Sequence, residues 1–202
     1  MNVAIVNISI GNVGSVEEAF RFLGAEVCLA DTPAELAGAD LVVLAGVGNF
    51  MTASAKLWQS GFRQALQREV GVGMPILGIC LGMQLFADEG LEGERTPGFG
   101  WIPGQVVRLS GTDCKVPHIG WNDVRHNNVT SLFPQGPCSF YFLHGYHFLS
   151  VDPSHVLATT TYGGQQLVAA VRRENVIGVQ FHPEKSQGEG LRFLKAVLEE
   201  FA

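Results

Sequence analysis

Cys80 lies between Gly78 and Gly82, directly after an apolar run and directly before a helical pattern. A strand, a sharp turn and a helix with a nucleophile at the apex form a nucleophile elbow, in which small flanking residues leave room for the turn. A thiol at a helix N-terminus lies near the positive end of the helix dipole, which lowers its pKa and favours the thiolate. The pattern predicts a reactive cysteine; a buried structural cysteine between incidental glycines is the alternative.

His182 follows an apolar run over residues 176–181 and precedes Pro183 and Glu184. Because Pro183 favours extended backbone at His182, and residues i and i+2 of an extended segment share a face, Glu184 is expected to hold the imidazole opposite the thiol. A nucleophile of this kind needs a base, and the base needs an orienting partner. The other histidines lack such a neighbour: His118, His126, His144, His147 and His155. Alone, the tripeptide is typical of a solvated turn; together with the elbow it favours nucleophilic catalysis.

The elements that must position these residues alternate between strands and helices in the first half of the chain. Short apolar runs at 3–8, 27–30, 41–44 and 76–79 alternate with helical patterns, which predicts a parallel sheet covered on both faces. One helix is expected to begin at Ser15, because Ser15 and Glu18 have the spacing of a capping box, and to end at Gly24. A longer helix is expected after Phe50.

The second half is rich in short β segments interrupted by glycine, proline and asparagine, which predicts antiparallel or mixed strands. These segments lie at 105–109, 140–143, 156–162 and 167–172. Leu191, Leu194, Leu198 and Phe201 follow helical spacing and predict a terminal helix packed on the sheet. Without a repeat or a long linker, residues 1–202 are expected to form a single domain.

Composition excludes several classes of protein. The formal net charge of −6 has the wrong sign for binding phosphate backbones, which argues against a nucleic-acid partner. No apolar run approaches the ~18 residues of a membrane span, and the first residues lack the basic region of a signal peptide. We therefore expect a cytoplasmic protein. The spacing of the four cysteines fits neither a zinc site nor a redox pair, so no metal site is expected, and the cysteines besides Cys80 are expected to be small buried hydrophobes.

The motifs at 78–84 (GICLGMQ) and 178–186 (GVQFHPEKS) resemble those of the class I (triad) glutamine amidotransferases. Further motifs resemble most closely the glutaminase subunits of imidazole glycerol phosphate synthases: residues 11–12, 46–48, 116–122 and 141–146. These motifs occur in the same order as in that family, and together they extend over essentially the whole chain. The resemblance implies a three-layer α/β, flavodoxin-like fold, with a mostly parallel central sheet, helices on both faces and an additional antiparallel β region.

The resemblance also implies an activity and its residues. Cys80, His182 and Glu184 would form a triad that hydrolyses the side-chain amide of glutamine to glutamate and ammonia, without a cofactor. Leu81, directly after the nucleophile, would supply one oxyanion N–H, and Val47 or Gly48 the other. The glycines on both sides of Val47 would allow a peptide flip between inactive and active states. The resemblance assigns glutamine binding to Gly46, Gln84, Glu92, His144, Gly145 and Tyr146.

The implied partner is the cyclase subunit of imidazole glycerol phosphate synthase, a (β/α)8 barrel that forms a heterodimer with the glutaminase and uses its ammonia. The resemblance places six residues at or near this interface: Asn12, Ser15, His118, Trp121, Asn122 and Lys185. Trp121 would be an interface anchor, since aromatic residues are enriched at binding hot spots. As alternatives, Trp121 is a core residue and Lys185 a solvated charge.

Three positions depart from the family pattern: Ala45 stands where proline is usual, Ser9 and Ile10 replace a glycine-containing pair, and Gly145 removes a side-chain hydroxyl near glutamine. None removes a member of the triad.

Two other functions stay open from the sequence. One is a triad glutaminase that serves another synthase, such as one that amidates surface sugars. The other is a module without catalysis, in which Cys80 senses oxidants; it leaves His182 and Glu184 without a role.

Overall fold

The computed structural model describes residues 1–11, 13–111, 115–126, 130–134, 136–150 and 152–202. The helices in these ranges are α1 Val13–Phe22, α2 Phe50–Gln59, α3 Phe62–Gly71, α4 Leu81–Gln84 and α5 Gln187–Glu200. Short 3-10 helices cover Pro33–Leu36, Pro153–His155 and Pro183–Lys185. None of the described helices is both long and apolar enough to cross a membrane.

The strands of the first half are β1 Asn2–Val6, β2 Glu26–Ala30, β3 Leu41–Gly46 and β4 Ile76–Cys80. The next three strands along the chain are β5 Glu89–Gly90, β6 Thr96–Pro97 and β7 Gly104–Arg108. The remaining strands are β8 His118–His126, β9 Cys138–His144, β10 Tyr146–Ser150, β11 Val156–Tyr162, β12 Gln165–Arg173 and β13 Val176–Val179.

A nine-stranded sheet in the order β2-β1-β3-β4-β13-β12-β11-β8-β9 forms the centre of the molecule. Strands β2, β1, β3, β4 and β13 run parallel, and the sheet continues antiparallel through β12, β11, β8 and β9. A smaller sheet has the order β10-β7-β5-β6. The α/β fold with a parallel centre and an additional antiparallel region is thus confirmed.

Each face of the parallel strands is covered by helices. Alternate strand residues such as Ile5 and Val43 pack with α1 and α5, through Phe20 and Phe193 among others. The intervening residues, such as Ala4 and Val42, pack with the helices on the other face. This alternation follows from the period of two along a strand, and explains why these strands are apolar on both faces.

Two predicted helix boundaries were wrong. Helix α1 begins at Val13, so Ser15 lies inside its first turn and is not the N-cap. The predicted end was right, because Gly24 follows the helix with a φ of 85°. The single helix predicted after Phe50 is two helices, separated where Gly61 adopts a φ of 80°. Asn49 caps α2, since its side chain accepts a hydrogen bond from the Thr52 N–H at 3.0 Å.

Candidate active site

Cys80 occupies a strained turn between β4 and α4. Its backbone has a φ of 53° and a ψ of −106°, a conformation that is unfavourable for a residue with a side chain. The flanking glycines permit the turn: a Cβ at Gly82 would lie 1.7 Å from the carbonyl oxygen of Leu44, and one at Gly78 would lie 2.5 Å from the ring of Phe86. The tight turn predicted from the spacing of these residues is therefore present, and neither glycine can be replaced without moving backbone or core.

His182 reaches the nucleophile because β13 pairs with β4 in parallel register, Gly178 with Gly78 and Val179 with Ile79. The backbone of His182 is extended, as predicted, and its N–H donates to the carbonyl of Tyr141 at 2.8 Å. The way in which Glu184 meets His182 differs from the prediction. The 3-10 helix Pro183–Lys185 turns the carboxylate back toward the imidazole, so the two do not share the face of one extended strand.

Glu184 Oε1 lies 2.8 Å from His182 Nδ1, and both side chains are buried, with 4% and 2% of their area exposed. Burial alone would lower the pKa of His182, but its interactions with the nearby Cys80 thiol and with the hydrogen-bonded Glu184 carboxylate raise it to about 10. His182 Nε2 is buried and has no hydrogen-bond partner among the described residues, so it is free to act on a substrate bound at Cys80. The site thus favours an imidazolium held by Glu184 and electrostatically coupled to the nucleophile.

A buried amide that the sequence analysis did not single out also touches the nucleophile. Gln180, 1% exposed, donates through Nε2 to the sulfur of Cys80 at 3.6 Å. Its Oε1 accepts from Gln84 Nε2 at 3.0 Å, and Gln84 Nε2 also donates to the carbonyl of Tyr146 at 2.8 Å. Gln180 lies in the motif that contains His182. The signal in the sequence was a glutamine in the otherwise apolar run that precedes His182, because buried polar groups need partners.

A cavity of about 260 Å³ opens beside Cys80. Residues predicted for the site line it: Val47, Gly48, Leu81, Gln84, Glu92, His144, Gly145 and Tyr146. Gly46 lies instead on a small neighbouring cavity that His182 and Glu184 also line. Pro117 and Leu143 line the larger cavity without having been predicted. The structure therefore brings Cys80, the proposed oxyanion donors and the residues proposed to bind glutamine, except Gly46, together around one space.

Glu92 reaches the cavity from the short loop after β5. Its Oε2 accepts a hydrogen bond of 2.7 Å from the N–H of Phe50, the first residue of α2. The carboxylate is therefore fixed by a helix N-terminus, where a negative charge is favoured. It is a positioned group at the cavity wall and not a solvated loop acid.

His144, which lines this cavity, and His118, which lies behind it, form a buried pair with 6% and 2% of their area exposed. His118 Nδ1 lies 3.0 Å from His144 Nε2. Burial lowers the pKa of His118 to about 4. Burial is also the main cause that lowers the pKa of His144 to about 3, with smaller effects from the charges of His118, His147 and His182. Both rings are therefore neutral at physiological pH.

The free energy of unfolding is expected to fall as the pH is lowered from 7 to 5. The unfolded chain binds protons at His118 and His144 below about pH 6.5, whereas the folded protein leaves both neutral until their lowered pKa values are reached. Each contributes a loss of up to about 1.4 kcal/mol per pH unit. His182, with its raised pKa, stays protonated in the folded protein, so protonation of this histidine in the unfolded chain near pH 6.5 opposes the fall, but by less than His118 and His144 produce together. Urea unfolding at pH 7 and pH 5 measures this, and equal stabilities would contradict it.

The residues predicted for a partner interface have different exposures. Trp121 is 49% exposed and lies edge-on to Tyr141, and Lys185 is exposed beside the triad. Ser15 and Asn122 are half-buried, and His118 is buried as described. Asn12 lies outside the described residues. Trp121 is therefore not a core residue, and its exposed ring is available to a partner.

The expectation for the remaining cysteines was right for Cys138, which is buried and donates its thiol proton to the carbonyl of Val124. It was wrong for Cys28, which is exposed. Cys114 lies outside the described residues. Within the part of the chain that the structure describes, no three histidine, cysteine, aspartate or glutamate residues are grouped so that they could hold a metal ion.

Comparisons with known proteins agree with this geometry. The family model for class-I glutamine amidotransferases matches residues 5–200. Among curated proteins, the imidazole glycerol phosphate synthase subunit HisH of Chlorobaculum tepidum is 39% identical, with 98% of this chain and 99% of that protein covered. The HisH subunit of Symbiobacterium thermophilum is 44% identical, with 95% and 91% covered.

Solved structures show the same fold at lower sequence identity. A glutamine amidotransferase crystal structure superimposes with a TM-score of 0.78 at 22% identity, and covers 98% of this chain and 97% of its own. The structure of PurLQS from Thermotoga maritima contains a chain with a TM-score of 0.75 at 19% identity, with 100% and 99% covered. The chain therefore belongs to the class-I glutamine amidotransferases and, within them, to the group of imidazole glycerol phosphate synthase HisH subunits.

Proposed function

We propose that this chain hydrolyses glutamine to glutamate and ammonia with Cys80, His182 and Glu184 as its triad, and that it delivers the ammonia to a cyclase subunit in histidine biosynthesis. The observation that supports it most directly is that the parallel pairing of β4 with β13 brings the buried His182–Glu184 pair, which follows β13, close to Cys80, which lines a cavity. The HisH names of the relatives indicate the synthase. A single domain over residues 1–202 is supported by the continuous nine-stranded sheet, and we expect it to act in the cytoplasm.

The proposed reaction uses the coupled Cys80–His182 pair. The Cys80 thiolate attacks the carboxamide carbon of glutamine, and the carbonyl oxygen becomes an oxyanion. His182 then gives the proton on Nε2 to the leaving nitrogen, so that ammonia departs and a thioester remains. His182 next takes a proton from water, which attacks the thioester and releases glutamate. Glu184 keeps Nδ1 protonated and stabilises the imidazolium at each stage.

The oxyanion would be held by the N–H of Leu81 and by a second N–H from Val47 or Gly48. We infer that this second donor depends on a peptide flip. Gly48 has a φ of 126°, and a Cβ at Gly11 would lie 2.8 Å from the Val47 nitrogen. The Val47 peptide thus lies against a residue without a side chain, which leaves space for reorientation. A structure with glutamine and partner bound, in which neither N–H is directed at the oxyanion position, would contradict the flip.

The cavity wall supports recognition of the amino-acid end of glutamine. The carboxylate of Glu92, at the cavity wall, would form a charge-assisted hydrogen bond with the ammonium group of glutamine. The Nε2 of Gln84 is committed to Gln180 and Tyr146, which leaves Oε1 to accept from the substrate. Backbone groups of Gly46, His144, Gly145 and Tyr146 would bind the remaining polar atoms. Since Gly145 offers no hydroxyl, its contact with glutamine is limited to backbone.

The proposed partner is a (β/α)8 cyclase subunit that uses the ammonia to form imidazole glycerol phosphate and an aminoimidazole-carboxamide ribonucleotide. Lys185 and Trp121 are exposed, and Ser15 and Asn122 are half-buried, so these side chains offer a surface near the triad. We place Asn12 and His118 at or near the same interface. Docking at this face would place the ammonia source close to the partner, which limits its loss to solvent.

The first experiment is to measure ammonia and glutamate release from glutamine by this chain, alone and with a cyclase subunit of an imidazole glycerol phosphate synthase and its nucleotide substrate. Low release alone and a steep rise with partner and nucleotide are expected, because the partner couples to the glutaminase site. No release under either condition would overturn the proposed activity. Release that does not respond to this cyclase would instead indicate a glutaminase that serves another synthase.

A further inference from the structure

A chain of hydrogen bonds, called the row below, runs from Asn122 on strand β8 to the wall of the cavity. Asn122 Nδ2 lies 3.3 Å from His118 Nε2, and His118 Nδ1 lies 3.0 Å from His144 Nε2. His144 Nδ1 lies 2.8 Å from the carbonyl oxygen of Tyr146. The pairing of β8 with β9 sets this row, because His118 and His144 are directly opposite in the register.

Burial favours neutral rings at both positions, and for neutral rings only one arrangement of protons satisfies these hydrogen bonds. The carbonyl of Tyr146 can only accept, so His144 carries its proton on Nδ1 and accepts at Nε2. His118 must therefore donate from Nδ1, which leaves its Nε2 to accept from the Asn122 amide. Both rings then carry the proton on Nδ1.

The row ends on an atom that the glutamine site also uses. The Tyr146 carbonyl accepts from His144 Nδ1 and from Gln84 Nε2, each at 2.8 Å. Gln84 in turn donates to Gln180, whose amide contacts the sulfur of Cys80. The direction of one carbonyl therefore affects both the turn at Gly145 and the amide of Gln84, which lines the cavity.

We propose that His118 is a positioning residue for glutamine binding, which acts through His144 to fix the Tyr146 carbonyl and the Gln84 amide. The proposal rests on the proposed glutaminase function. His118 does not line the cavity and is buried between the rings of Phe142 and Tyr162, with ring centroids at 4.7 Å and 3.9 Å. A role in packing alone depends on these ring contacts, whereas a positioning role depends on the Nδ1 donor.

Two substitutions separate these roles. His118→Phe keeps a stacked ring and removes the donor, so His144 Nε2 is left buried without a partner. His118→Asn loses the ring and keeps an N–H donor near the place of Nδ1. For the complex with a saturating cyclase subunit, His118→Phe is expected to raise the KM for glutamine about tenfold, or about 1.4 kcal/mol, with kcat within about twofold. His118→Asn is expected to restore KM to within about threefold of the unmodified protein.

Ile119→Ala is the matched control, because Ile119 is the next residue of β8 and is 57% exposed. It is expected to leave KM unchanged. An unchanged KM in His118→Phe, or equal increases in both His118 variants, would overturn the positioning role and favour packing. Weaker binding of the cyclase by His118→Phe with an unchanged KM would also overturn it and indicate a direct interface contact.

Nitrogen-15 NMR of the imidazole rings at pH 7 tests the row independently of turnover. His118 and His144 are both expected to carry the proton on Nδ1, whereas histidine in water prefers Nε2. An Nε2-protonated ring at either position would overturn the proposal. The NMR measurement does not depend on activity. If the unmodified protein releases no ammonia in the glutaminase assay, the proposed function is refuted, and the NMR result still decides whether the row of hydrogen bonds exists.

Discussion

Replacement of Cys80 by alanine is expected to reduce glutamine hydrolysis by at least about 10⁴-fold in kcat, in the complex with the cyclase subunit. In the proposed reaction the sulfur forms the covalent bond to the substrate, and an alanine side chain has no atom that can do so. Removal of a nucleophile leaves only the rate enhancement from binding and from the oxyanion donors. Ammonia release measures this, with cyclase binding as evidence that the variant folds.

Two other cysteines provide matched controls for this substitution. Cys138→Ala changes a buried thiol whose pKa is raised to about 11, mainly by burial. Cys28→Ala changes an exposed one. Both variants are expected to keep kcat within about twofold, since neither thiol lines the cavity. Substantial hydrolysis by Cys80→Ala would show that Cys80 is not the nucleophile, whereas loss of hydrolysis in a control variant that folds would show that the effect is not specific to Cys80.

Glu184→Gln is expected to lower kcat by on the order of 10³-fold, somewhat less than the loss when the acid of a serine triad is neutralised. Glu184 Oε1 accepts from His182 Nδ1 at 2.8 Å, and its charge helps to raise the pKa of His182 to about 10. An uncharged amide no longer stabilises the imidazolium, so the pKa of His182 falls. The amide can also present an N–H to Nδ1, which shifts the imidazole to the wrong tautomer.

NMR titration of the His182 imidazole measures whether its pKa falls in Glu184→Gln. In the unmodified protein the ring stays protonated to alkaline pH; in Glu184→Gln it is expected to lose its proton at lower pH. Glu189→Gln is the control, since Glu189 is a half-buried glutamate in the first turn of α5 and is expected to leave kcat unchanged. A Glu184→Gln variant with kcat within about tenfold and an unaltered His182 pKa would refute the orienting role.

Most of the architecture could be predicted because it depends on local patterns. The apolar runs before residue 80 became parallel strands, and the glycines around Cys80 proved necessary because carbonyl and ring atoms fill the space of their missing side chains. The start of α1 was predicted two residues too late, although Ser15 and Glu18 have the spacing of a cap. A capping pattern shows that a residue can cap a helix, but packing of the preceding turn decides where the helix begins.

The site was harder to predict where it depends on long-range register. The association of His182 with Glu184 was expected, but the 3-10 turn that brings them together was not, since its geometry is set by packing around the turn. At Gly190, for example, a Cβ would lie 1.8 Å from the carbonyl oxygen of Pro183. Gln180 was missed because its contact with Cys80 joins residues 100 positions apart. The row through His118 requires knowledge that β8 and β9 are paired.

The parallel pairing of β4 with β13 has a consequence for the dynamics of the enzyme. Cys80, the proposed nucleophile, ends β4, and His182, the proposed base, follows shortly after β13; the two strands are neighbours in the middle of the sheet, so the separation of the two residues depends on that ladder staying closed. Amide hydrogens of Ile79 and Val179 should therefore exchange with solvent only through near-global unfolding. The segment with Val47 and Gly48 is exposed, so its local opening should cost less free energy. Heating or denaturant would thus mobilise the oxyanion segment while the triad stays assembled, and activity would be lost before the core unfolds.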